Sequence, residues 1–208
     1  MALVVTELTM SLDGYIAYES GHVGPLFDWY GNGDVEVVSG DGKRTFHMSE
    51  VSAEHVRRGD KETGAYVIGR KLFDFTQGWG GVSPSGPHVP VFVVTHSQPD
   101  GWPRPEANFT IVLDGIESAI AQAREAAGEK VVGVAGPNLV QQCLNLGLLD
   151  EVRIDLVPVI LGGGIPFFAN LKDVPVILDG PTLTEGTGVT HLRYTVDSTR
   201  RRSPKRTP

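Results

Sequence analysis

Apolar residues along the chain fall into short runs broken by Gly, Pro and Asp, with two longer stretches at helical spacing. Residues 3–9 read as a first strand that ends in the turn signal Ser11-Leu12-Asp13-Gly14, after which Tyr15-Ile16-Ala17 resumes the apolar pattern. Residues 65–69, 89–95 and 109–113 are three further β runs. Ile116, Ala119, Ile120, Ala123 and Ala127 recur at steps of three and four, so a helix there shows one apolar face. Asp114 stands where its N-cap is expected, Glu117 completes a capping-box pattern, and Gly128 sits where a left-handed residue closes a helix. After a strand over 130–135, Pro137 suits the first turn of a second helix, where its missing N–H costs nothing. Leu139, Val140, Cys143 and Leu144 give that helix a buried stripe, and Gly147 stops it. Alternation at Val152, Ile154 and Leu156 marks a strand. Residues 174–178 and 188–196 supply the last two strands, and a weaker helix is expected from Ser49, as N-cap, to about Arg58.

Strands and helices alternate at first, and strands then follow without helices between them. This order predicts an α/β fold with a mostly parallel mixed sheet and an antiparallel C-terminal edge. Residues 20–48 break the pattern. They are rich in Gly and Asp, carry the aromatic cluster Phe27-Trp29-Tyr30, and read as a long irregular insert of the kind that serves function. No linker divides the chain, so residues 1–197 are expected to form one domain, followed by a basic disordered tail at 198–208.

Charge and cysteine content narrow the classes. Net charge is −7, and the last nine residues hold five of the eighteen Lys and Arg; the rest sets 13 basic against 25 acidic residues, a charge of −12. An acidic body argues against nucleic-acid binding. No apolar run reaches the roughly 20 residues of a membrane span, and the start lacks the features of a signal peptide. A single cysteine, Cys143, excludes an internal disulfide and a Cys-rich zinc site, and a cytoplasmic setting fits best. The six histidines show no paired metal-ligand spacing, so no metal is expected.

Four motifs carry candidate chemistry, each at or just after the C-terminal end of a strand. Gly136-Pro137-Asn138 opens a helix, whose free N–H groups and partial positive charge can take a phosphate, or it is an ordinary strand-to-helix turn. Gly69-Arg70-Lys71 places two cations at a strand tip, for a phosphate or for solvent. Thr95-His96-Ser97 offers hydroxyls and an imidazole, or a polar turn before Pro99. Gly162-Gly163-Gly164 allows close backbone approach to a ligand, or a flexible reversal. If these strands are parallel, all four border one crevice.

Taken with their order, "TMSLDGYIA", "VIGRKLFD", "PVFVVTHS" and "GPNLVQQCLNLGLLDEVRIDLVPVILGGGIPFF" resemble the dihydrofolate-reductase-like fold, and more closely the RibD C-terminal reductase family, from about residue 3 to residue 196. The resemblance implies a three-layer α/β/α domain, a homodimer, and NADPH as cofactor for hydride transfer to a small heterocyclic or carbonyl substrate, as in 5-amino-6-(5-phosphoribosylamino)uracil reductases. It implies that Gly69, Arg70, Lys71 and Leu72 lie by the adenosine phosphates, with Thr95, His96 and Ser97. It sets Gly136, Pro137, Asn138 and Leu139 at the pyrophosphate, and Asp13, Gly14 and Ile16 by the nicotinamide; Gly162 and Gly163 border the crevice by their place at a strand end. Two departures stand out: Ala135 precedes Gly136 where the family has a second glycine, and Leu72 replaces a phosphate-binding threonine. Asp13 and Asp74 are the candidate catalytic carboxylates, beside Asp28, Glu50 and Glu54. The alternative is a non-catalytic NADP(H)-binding protein on a reductase scaffold.

Overall fold

A computed structural model describes residues 1–172 and 174–197; the basic tail expected at 198–208 lies outside the described residues. The elements run in the order β1 (Val4–Ser11), β2 (Tyr15–Ala17), a 3-10 segment (Gly24–Gly31), β3 (Val35–Val38), β4 (Thr45–Met48), α1 (Glu50–Glu62), β5 (Thr63–Gly69), α2 (Arg70–Thr76), β6 (Val91–Val94), β7 (Phe109–Val112), α3 (Ile116–Ala127), β8 (Val131–Ala135), α4 (Pro137–Leu146), β9 (Glu151–Val157), β10 (Ile165–Pro166), β11 (Leu178–Gly186) and β12 (Val189–Val196). Eight strands form the main sheet in the order β11-β12-β9-β1-β8-β5-β6-β7. The six from β9 to β7 are parallel to one another, and the β11–β12 hairpin adds an antiparallel edge. The expected mixed sheet is therefore present.

Two helices with the predicted stripes cover one face of the sheet. Ile116, Ala119, Ile120, Ala123 and Ala127 of α3 are all buried, as are Leu139, Val140, Cys143 and Leu144 of α4, and they share a core with Val4, Val67, Val132 and Ile154. Fully burying a side chain such as Ile120 stabilises the fold by about 1.5–3 kcal/mol, and this core is the largest of three. The opposite face carries α1 and the 3-10 segment near β9, with Trp29 and Leu26 buried, and α2 near β5 and β6, with Phe73 buried against Ile68 and Val93. No helix among the described residues is long and apolar enough to cross a membrane.

Several boundaries differ from the sequence expectation, each for a local reason. The insert at 20–48 is not irregular: it folds as the 3-10 segment and the β3–β4 hairpin, and Leu26, Trp29, Val37 and Met48 pin it down. Ser49 does cap α1, accepting from the Ser52 amide, but the helix runs on to Glu62. Asp114 does not cap α3; Gly115 takes that place with φ +100, a conformation open to glycine. Residues 89–95 yield strand only from Val91, because Pro90 has no N–H to donate. The strand expected at 174–178 lies instead at Leu178–Gly186, where a polar, mostly exposed edge strand pairs on one side only and is broken in register between Asp179 and Thr182 around Pro181. The short helix α2, directly after β5, was not foreseen.

Candidate functional site

The parallel register brings the C-terminal ends of β1, β5, β6, β8 and β9 to one edge of the sheet. All four sequence motifs, and the Asp13-Gly14 turn with them, therefore lie along that edge, where α/β folds collect their ligands.

At the centre, β8 ends at Ala135 and α4 begins at Pro137, with Gly136 as N-cap at φ +103. No side chain caps this helix, so its first amides are not taken up by a cap. A Cβ built on Gly136 would meet nothing within 4 Å, so the backbone borders open space. Leu139 is buried in the core beneath, while Asn138 is exposed and its amide oxygen accepts from Gln142. Gly69, at the end of the adjacent β5, lies next to Leu139, where an added Cβ would make ordinary contact at 3.6 Å from its Cγ.

Arg70 follows Gly69. Its Nε donates to both oxygens of Asp74, at 2.8 and 2.9 Å, and its Nη1 donates to the Ser97 carbonyl at 3.2 Å. Asp74 therefore orients a guanidinium and is remote from the Asp13 turn along the strand order. Lys71 is exposed, whereas Leu72 packs into the core with Phe73. Thr95 is buried and its hydroxyl donates to the Ser97 carbonyl at 3.0 Å; His96 and Ser97 are exposed. Beside Arg70 opens a concavity of about 350 Å³, lined also by Asp74, Asp100, Trp102 and Arg104. The Arg104 guanidinium carbon lies 4.7 Å from the centre of the Trp102 ring. Trp102 and Arg104 were not singled out from sequence, since residues 96–108 carry no periodic signal; the Trp-Pro-Arg run within a loop was the one available hint.

On the other side of β8, Asp13 works as a latch. Its Oδ1 accepts from the Ser11 hydroxyl at 2.6 Å and the Leu161 amide at 3.1 Å, and its Oδ2 accepts from the Gly162 amide at 2.7 Å. The Ser11 hydroxyl, helped by the Gly162 and Leu161 amides, holds the Asp13 carboxyl below its ordinary range. The latch joins the loop after β1 to the loop after β9, and the β2–β10 pairing extends the same seam. The three glycines differ in what they do there. Gly162 and Gly163 border open space, but a Cβ on Gly164 would run into the Ala17 carbonyl oxygen, so its lack of a side chain serves packing against β2. Gly14, at φ +90, is likewise open, and Ile16 packs partly buried against the main core.

The arrangement is thus a row of open, glycine-bordered backbone flanked by a cation at one end and a fixed carboxylate at the other. Comparison with known proteins gives it a context. Residues 2–205 match the model of the RibD C-terminal domain. The chain is 26% identical over 169 residues to the uncharacterized protein YwjB of Bacillus subtilis (strain 168), covering 81% of this chain and 84% of that one. Among solved structures, it superposes with a TM-score of 0.68 on a Shewanella sp. PV-4 protein assigned to riboflavin biosynthesis, at 22% identity over 95% of this chain and 99% of the other. It superposes with a TM-score of 0.57 on dihydrofolate reductase from Enterococcus faecalis in complex with NADP(H), at 12% identity over 94% and 97% of the two chains. At these identities the superpositions establish a dihydrofolate-reductase-like fold.

Proposed function

Because the chain belongs to the RibD C-terminal domain family, we propose that it is an NADPH-dependent reductase acting on a small heterocyclic or carbonyl compound. The observation that carries this reading is the strand-end row itself: Gly14, Gly136, Gly162 and Gly163 all border open space along one edge, and Arg70 stands beside a concavity at its far end. These features fit a long dinucleotide with a pyrophosphate at its middle and a further phosphate at its adenosine end. The uncapped amides of α4 and the open Gly136 would hold the pyrophosphate. Arg70 and Arg104 would meet the adenosine phosphate, with Trp102 offering a flat surface. The turn Asp13–Ile16 would border the nicotinamide. The cofactor, when bound, supplies the hydride; the chain orients it and excludes water. With its charge fixed by two amides and a hydroxyl, Asp13 shapes the turn and the Gly162 loop and is a poor proton donor. Leu72, where the family pattern has threonine, offers the cofactor only backbone.

Titration with NADPH and NADP⁺ followed by tryptophan fluorescence tests the reading, since Trp102 lines the proposed adenosine end. Saturable binding in the micromolar range is expected; its absence for both nucleotides sinks the proposal. A second reading, a non-catalytic NADP(H)-binding protein, draws support from the same geometry: Asp13 is committed to a latch and Asp74 to Arg70. Nucleotide binding without turnover of pterin, pyrimidine or quinone substrates would favour it. A homodimer accompanies the reductase reading, and sedimentation checks it.

A further inference from the structure

The α1 face of the sheet holds a second, unrelated cluster. His191 on β12 lies level with Asp155 on β9, and Asp155 lies level with Thr9 on β1, two residues beyond Glu7. His55 of α1 stacks on His191, with ring centres 3.8 Å apart. His191 Nδ1 is 2.6 Å from Asp155 Oδ1. His55 Nε2 is 2.7 Å from Glu7 Oε1 and 3.2 Å from Asp155 Oδ1. His191 Nε2 is 3.0 Å from the Ser52 hydroxyl. The order Ser52–His191–Asp155 is that of a hydrolase triad, but Ser52 is 1% exposed and packed against Gly186, so no substrate carbonyl can reach it.

We propose that Glu7, His55, Asp155 and His191 form a binding site for one divalent transition-metal ion of the zinc class. One donor atom each from His55, Asp155 and His191 lies within 4.8 Å of the others, and Glu7 Oε1, outside that trio, is 2.7 Å from His55 Nε2. Two imidazoles and two carboxylates are a donor set suited to zinc, whose bonds of about 2.0–2.2 Å need only small side-chain adjustments from these separations. A second observation points the same way. His55 Nε2 is buried and close to two carboxylates, yet it makes no aligned hydrogen bond to either. The Ser52 hydroxyl supplies the outer contact that fixes a ligating histidine, since it can accept from His191 Nε2–H while Nδ1 ligates. Access exists through a cleft of about 180 Å³ lined by Glu7, His55 and His191.

The cluster already calls for positive charge. Burial works against the His55 imidazolium, but the Asp155 and Glu7 carboxylates close to it outweigh that and push its pKa up to about 9. On binding, the ion replaces the His55 proton, which leaves to solvent. With His191 Nδ1 on the ion, the ring would carry its proton at Nε2 and donate it to the Ser52 hydroxyl. Held this way, the ion would tie α1 to β1, β9 and β12.

The test uses the full chain, dialysed against a chelator and titrated with zinc chloride by calorimetry, with melting followed in parallel. One ion per chain at micromolar affinity or better is expected, with a raised melting temperature. His55→Ala should weaken binding more than about tenfold, and Ser52→Ala by about tenfold, whereas His88→Ala should leave it unchanged. Absence of stoichiometric binding, or binding that His55→Ala leaves intact, overturns the proposal. Should His55→Ala fail to fold, cobalt(II) loaded into the unaltered protein decides: intense visible bands of a four-coordinate ion support the site, and the pale spectrum of a hydrated ion overturns it.

Discussion

Replacing Arg70 by Ala separates the proposed adenosine-phosphate contact from a surface ion pair. In the unliganded chain the Arg70 guanidinium is oriented by Asp74 and by the Ser97 carbonyl, through Nε and Nη1. These bonds engage two of its five N–H groups, so others remain for a ligand. A charge-assisted hydrogen bond to a phosphate contributes about 1.5–3 kcal/mol, or a factor of about 10–150 in affinity. The side chain is 37% exposed, and screening by solvent sets the expectation near the lower end, about tenfold for NADPH. NADH lacks the phosphate and should change by less than about twofold on the same reasoning. Fold stability should hardly move, since an exposed pair four residues apart in a helix contributes about 0.3–0.5 kcal/mol. The assay is the fluorescence titration of both nucleotides against both proteins, with melting curves as control. Equal losses for NADPH and NADH would refute the assignment. Asp74→Asn completes the argument: it removes a carboxylate that competes for Arg70, so NADPH should bind as well or better. A fall in turnover with binding intact would instead restore Asp74 as a catalytic group.

Gly136→Ala should cost about 1–3 kcal/mol through its positive φ and weaken NADPH by more than that strain accounts for, because the methyl enters the open space at the helix start. Stability lost with nucleotide affinity unchanged would remove Gly136 from the pyrophosphate site. Burial pushes the Cys143 thiol up to about 12. The folded chain keeps a proton that the unfolded chain releases near pH 8.5, so stability should fall as pH rises from there towards 12. Native protein at pH 8 should be inert to a thiol-selective disulfide reagent and react fully in guanidinium; fast native reaction contradicts the burial. Trp29→Ala should cost about 3–5 kcal/mol in denaturant melts, since Trp29 is 2% exposed and anchors the insert under α1; a loss under about 1 kcal/mol would mean the insert packs independently.

What the sequence made legible follows from how far apart the interacting residues are. The stripes of α3 and α4 are local signals repeated every three or four residues, and each predicted position is buried. Strand ends are equally local signals, and parallel strands bring the four candidate motifs to one edge. Errors arose where a contact across the fold decides the local outcome. Gly162-Gly163-Gly164 looks uniform in sequence, yet only Gly164 is pressed against Ala17, and that contact spans 147 residues of chain. β11 was displaced because its pattern is polar and carries Pro181; an edge strand bonded on one side needs no apolar alternation.

The histidines make the same point more sharply. Metal-ligand spacing is a sequence signal only when one helix or one turn carries the ligands. His55 and His191 share no element, and they meet because β12 lies beside β9 and His55 of α1 stacks on His191. The strand order that displaces β8 and β9 to either side of β1 thus creates two sites at once. At the C-terminal edge it opens the row of glycines between Asp13 and Arg70. On the α1 face it sets Asp155 level with His191, with Glu7 two residues back on the neighbouring strand, so that a proton or a metal ion at His55 would balance a buried carboxylate and a half-buried one. The two proposed sites would answer to different ligands and are separable by experiment: nucleotide affinity should follow Arg70 and Gly136, and zinc affinity should follow His55, with neither variant set affecting the other ligand.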